Sequence, residues 1–228
     1  MGKFYERVLL DVETQQDFFA PGGSCYSPGA AEPLKNIYRL FDWAKRESVP
    51  VVSTVLRVRV NDRGPLAKTP HCLDGSVGEQ KMARTILPMR VNMGLLNTTD
   101  LPNDIFEHYQ QIIFEKRDTD IFAHARAERM ITELPLTTFV ICGAGVARSI
   151  AQAAIGLRTR GFSVILAEDA AIDLGDPMAA MARMRMEAKG VVFAKTSDLI
   201  LPVPRRRATP LRALPARNEV AETRSRRS

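Results

Sequence analysis

Cysteine is scarce in this chain. Three residues, Cys25, Cys72 and Cys142, are too few for a disulfide framework, and none forms a C-x-x-C pair. This usage fits a reducing, cytoplasmic setting. No apolar run reaches the roughly 20 residues that a membrane-spanning helix needs. The N-terminal MGKFYERVLL lacks the long apolar segment of a secretion signal, and Glu6 breaks the myristoylation pattern that MG would begin. GAGVAR, residues 143–148, lacks the third glycine of a dinucleotide fingerprint, and no phosphate-binding G-x-x-x-x-G-K-[ST] occurs. No cofactor is therefore expected.

Charge imbalance is also missing from most of the chain. Residues 205–228 hold eight Arg and two Glu, which accounts for the whole net charge of +6 and leaves 24 basic and 24 acidic residues before them. The sequence thus divides into a balanced domain, 1–203, and an Arg/Pro-rich tail, 204–228. With little apolar periodicity to offset its ordering entropy, the tail is expected to be disordered. Nucleic acid or an anionic surface could be attracted through that tail, although no aromatics are interleaved with its arginines.

What the sequence does have is alternation. Apolar, β-branched runs at 5–12, 49–58, 111–115, 137–143 and 163–170, with a last short one near 191–194, predict strands. Between them, helical spacing marks 31–46, 123–135, 147–160 and 176–189, with Pro135, Gly161 and Gly190 as stops. The strands are continuous rather than alternating in polarity, as a parallel sheet buried on both faces requires. The expected fold is α/β, a doubly wound, mainly parallel sheet between helical layers. Residues 59–104 have no strong period and exceed an ordinary connection.

Ligands in such folds bind at the carboxyl ends of the strands. That rule selects Asp11 and Glu13, Lys116, and the stretch Gly143 to Ser149. Residues two apart on a strand share a face, so Asp11 and Glu13 are expected to point together, with Asp17 close behind. Lys116, at the end of IIFEK, could snorkel to solvent or orient a carboxylate. Ser149, on the first turn after GAGVA, could be a nucleophile or an ordinary helix-start serine; a nucleophilic role would require an adjacent general base. His71–Cys72 is the one close His/Cys pair, and a metal would need more ligands. His108 and His124 are expected at the surface. Cys142, inside an apolar strand, reads as a small buried hydrophobe.

Together, DVETQQDFFAPGG, PHCLDGSVGEQK, IIFEKRDTDIF and FVICGAGVARSIAQAA resemble the isochorismatase-like cysteine hydrolases, most closely their nicotinamidase-like branch, over about residues 5–201. The resemblance implies a three-layer α/β/α sandwich, hydrolysis of small amides or related substrates, and homo-oligomers. It places Glu13, Lys116 and Ser149 where the family has Asp, Lys and Cys. It implies oxyanion donors at the Gly145 and Ser149 backbone, with a cis peptide between Ala144 and Gly145. Val146 and Ala147 replace the usual Thr and acid. Of the branch's metal ligands only His71 is kept, with Leu56 and Val58 in the other two places, so no metal is expected. Three readings follow: a degenerate hydrolase that binds a small amide-like metabolite, an amide hydrolase using Ser149, or a tail-directed binder of nucleic acid or anionic surfaces.

Overall fold

The structure is a computed structural model, and it describes residues 5–62, 70–102, 104–135 and 137–201. The Arg-rich tail lies outside the described residues. Seven strands form one sheet in the order β3-β4-β2-β1-β5-β6-β7. They are β1 (Arg7–Val12), β2 (Val51–Leu56), β3 (Arg90–Asn92), β4 (Gln111–Lys116), β5 (Thr138–Ala144), β6 (Ser163–Ile172) and β7 (Val192–Ala194). Every pairing is parallel. The helices are α1 (Gln16–Phe19), α2 (Ala31–Glu47), α3 (Ile105–His108), α4 (Ala125–Glu133), α5 (Ala151–Thr159), α6 (Ala179–Ala188) and α7 (Thr196–Leu199). A π-turn over Val146–Ile150 leads into α5.

Two apolar cores separate three layers. Ile37, Leu40, Phe41 and Ala44 of α2 pack with Leu9, Val140 and Cys142 on one face of the sheet. Met130 and Ile131 of α4, Leu157 of α5 and Met186 of α6 pack with Leu10, Phe114 and Ile141 on the other. Both faces are covered, which is why the strands read as unbroken apolar runs. The unpatterned segment contributes β3, whose three residues pair with β4 and form a sheet edge too short to show in the sequence.

The winding reverses between β1 and β5. The chain passes from β1 towards β2, β4 and β3 on one side, and later from β5 towards β6 and β7 on the other. The crevice outside the carboxyl ends of β1 and β5 is the switch point at which such sheets bind ligands. Gly143 makes this junction possible. Its φ is +124°, and a Cβ there would lie 1.8 Å from the Val12 carbonyl oxygen.

Candidate functional site

Glu13 does not continue β1. Its backbone turns left-handed, φ +51°, immediately after the strand. The turn carries its side chain away from that of Asp11, so the expected side-by-side carboxylates are not formed. Each acid has its own lysine. Lys116, at the carboxyl end of β4, forms a buried ion pair with Glu13 Oε1. Lys116 Nζ also donates to the carbonyls of Asp118 (2.7 Å) and Thr119 (3.1 Å). All three ammonium hydrogens are therefore committed. Burying two charges costs several kcal/mol per ion, and here the pair and the two carbonyls offset it. Lys116 thus does not snorkel to solvent, because the loop after β4 closes over it.

Asp17 is a third separate case. Its carboxylate accepts the backbone N–H of Ser24 (2.9 Å) and of Cys72 (2.5 Å). It ties two loops together and takes no part in an acid pair. Gly78 leaves room for it, since a Cβ there would fall 2.1 Å from the Asp17 carboxylate.

Ser149 is buried in the π-turn after Gly145. Gly145 adopts φ +82°, and the Ile150 N–H reaches back five residues to its carbonyl at 3.0 Å. The Ser149 hydroxyl has no hydrogen-bond partner among the described residues. It lines a cavity of about 490 Å³ together with Glu13, Phe18, Cys25 and His71. The Phe18 ring lies 5.5 Å from the His71 ring, giving that cavity an aromatic wall. Arg148, paired with Asp176 at 2.9 Å, stands at the rim. The Met178 N–H, and then Arg148, hold the Asp176 carboxyl below the usual carboxylate range.

Two features of the resemblance are not realised. The Ala144–Gly145 peptide is trans. The Gly145 N–H donates to Ile172 O at 2.9 Å, extending the pairing of β5 with β6, and so is not free to receive an oxyanion. At the positions of the missing metal ligands, Leu56 and Val58 are buried apolar residues. A hard or borderline divalent cation would find no donor on either side chain, so the residues present do not fit such a site.

His124 departs from its expected surface position. It precedes α4 and is buried, with Nε2 3.1 Å from Gly94 O and its ring edge-on to Phe114. His108 is exposed, and Cys142 is fully buried. The residues the sequence did not mark are Cys25 and Phe18, which line the cavity, and Lys81, which is buried against Asp11. A lysine in an unpatterned segment carries no local sign of burial. Its one signal was its place at the end of the GEQK stretch that contributed to the resemblance.

Residues 7–198 match the isochorismatase domain model. The chain belongs to the isochorismatase family. Several solved structures share its fold at low identity. Nicotinamidase PncA from Bacillus subtilis is 18% identical, with 83% of this chain and 99% of that one covered and a TM-score of 0.64. PnC1 from L. infantum, solved with nicotinate, is 20% identical over 86% and 98%, TM-score 0.63. N-carbamoylsarcosine amidase from Thermoplasma acidophilum is 16% identical over 84% and 96%, TM-score 0.63. Among curated protein sequences none matches significantly. The family's α/β architecture thus extends to this chain.

Proposed function

We propose that this isochorismatase-family protein binds a small amide-like metabolite, or the corresponding acid, and that hydrolysis there is lost or reduced by several orders of magnitude. The observation that carries this reading is the isolation of the Ser149 hydroxyl. A serine is a weak nucleophile until a neighbouring base takes its proton. Glu13 shares the cavity, but its carboxylate is paired with Lys116, and no hydrogen bond joins it to Ser149 among the described residues. The loss of the Gly145 N–H from the pocket removes a second contribution. A missing oxyanion donor costs about 10²–10³ in rate. A carboxylate–lysine pair accepts a thiol proton far more readily than a serine hydroxyl proton, so serine in a thiolate's place costs more than about 4 kcal/mol of barrier.

The ligand class follows from the pocket's composition. About 490 Å³ suits a small molecule. The aromatic wall of Phe18 and His71 offers a flat apolar surface, and Glu13 and Arg148 supply polar contacts of opposite sign. Nicotinate in the L. infantum structure and the carbamoyl substrate named for the Thermoplasma enzyme belong to this size and chemistry.

The test is ammonia release from nicotinamide and N-carbamoyl amino acids, with wild type beside Glu13→Asp/Ser149→Cys. The expected result is a silent wild type and measurable turnover by the double variant. Ordinary enzymatic rates from wild type would overturn the reading. A second reading, an amidase with Ser149 as nucleophile and Glu13 as base, is favoured by their shared cavity. It requires that Ser149→Ala abolish any activity found.

A further inference from the structure

β1 carries a second acid that the pocket does not use. Asp11 is fully buried and collects donors from three parts of the chain. Lys81 Nζ donates at 2.5 Å and Ser53 Oγ at 2.8 Å, both to Oδ2, while Thr14 Oγ1 donates to Oδ1. Cys142 lies beside Asp11 in the β1–β5 register. Asp, Lys and Cys are the residue types that the family resemblance assigns to thiol hydrolysis. In this place they do not serve it. Burial, and next the Asp11 charge, push the Cys142 thiol well up, against a lowering by Lys81. None of the three lines the Ser149 cavity.

The network has a different geometry of consequence. Lys81 belongs to the segment that runs antiparallel to the turn after β1. Gln15 and Lys81 form an isolated bridge. Gln16 N–H donates to Gln80 O (2.8 Å), Asp17 N–H to Gly78 O (3.0 Å) and Met82 N–H to Thr14 O (3.0 Å). The Gln15 side chain reaches Leu56 N, Leu56 O and Glu79 O. Between this strap and β1 sits Glu13, the one residue of the turn with a left-handed backbone. A non-glycine residue stays in that region only where its surroundings over-determine it. Thr14, adjacent to Glu13, is held on both its hydroxyl and its carbonyl.

We propose that Asp11 and Lys81 are a positioning pair for Glu13. Their buried contact fastens 78–82 onto 14–17 and fixes the left-handed turn that aims the Glu13 carboxylate at Lys116. The inference rests on reading Glu13–Lys116 as the polar centre of the ligand pocket, but its test needs neither ligand nor turnover.

The test is NMR on the full chain, comparing wild type, Asp11→Asn/Lys81→Met and Thr14→Val. The double variant removes both charges together, because removing one strands the other in the core. Thr14→Val keeps both charges and cuts the link to the turn. In the double variant the Glu13 ¹³Cα and ¹³Cβ shifts are expected to leave the left-handed range. The Gln16 and Asp17 amides should exchange about tenfold or more faster relative to those of β5. Thr14→Val should move the same signals the same way by less. A merely structural pair would lower the unfolding midpoint and leave the Glu13 shifts in place. That outcome in either folded variant overturns the proposal, and if the double variant fails to fold, Thr14→Val decides it. Silence in the ammonia assay would bear on the pocket's chemistry and leave this measurement intact.

Discussion

Glu13 and Lys116, 103 residues apart in the chain, meet as a buried ion pair at the carboxyl edge of the sheet. Glu13→Ala leaves Lys116 buried without its carboxylate. The expected loss is about 3–5 kcal/mol of folding stability, read from the urea midpoint. Glu13→Ala/Lys116→Met should lose less than Glu13→Ala alone, since no unpaired charge then remains in the core.

Gly143 and Gly22 both have positive φ, and they should respond very differently to alanine. At Gly143 the new methyl meets the Val12 carbonyl at 1.8 Å, where β1 and β5 are paired. Gly143→Ala is expected to cost about 4 kcal/mol or more. At Gly22 nothing lies within 4 Å of the added carbon. Gly22→Ala should cost only the backbone strain, about 1–2 kcal/mol. Thermal unfolding of the two variants checks the contrast.

Thiol alkylation should single out Cys25. Cys72 and Cys142 are buried, whereas Cys25 is half-buried and lines the cavity. One equivalent should react in the native state and the rest only on unfolding. Burial raises the Cys25 thiol, the Ser24 hydrogen bond opposes that rise and the Asp17 charge adds to it. The thiolate is the reactive form, so the native rate should still climb about tenfold per pH unit where an ordinary cysteine levels off. A ligand in the cavity should slow the reaction, which gives the proposed binding function an assay independent of turnover.

His124 should make the fold sensitive to mild acid. Burial, the largest influence, lowers its ring below the ordinary histidine value, against a contact with Gly94 O that raises it. Between the usual value of about 6.5 and the lower native one, the unfolded chain binds the proton and the native chain does not. Stability is therefore fully present above that window and falls as pH drops through it. His124→Phe keeps a ring against Phe114 and should flatten this part of the pH dependence, measured as the urea midpoint at pH 7.5 and 5.5.

The fold was largely legible because burial leaves a local trace. Val51–Leu56 and Thr138–Ala144 are mostly apolar and almost wholly buried since helices cover both faces of their sheet, and the Ala31–Glu47 helix shows its buried stripe at Ile37, Leu40, Phe41 and Ala44. The strand order, β3, and the partners of each charge had no such trace. Asp11 and Glu13 look alike at a spacing of two. Only the left-handed turn at Glu13 sends one to Lys116 and leaves the other to Lys81, 70 residues away.

Sequence alone determined the longer strands and helices, and it put Glu13, Lys116 and Ser149 at the ends of strands where ligands bind. Tertiary structure decided what those residues can do. Loop closure over Lys116 consumes its hydrogens, pairing with Ile172 takes the Gly145 N–H, and packing before α4 buries His124. Periodicity reports the face a residue presents, because that follows from local backbone geometry. It says nothing of which distant donor will meet a given acceptor, because that depends on strand order and on the course of the loops between.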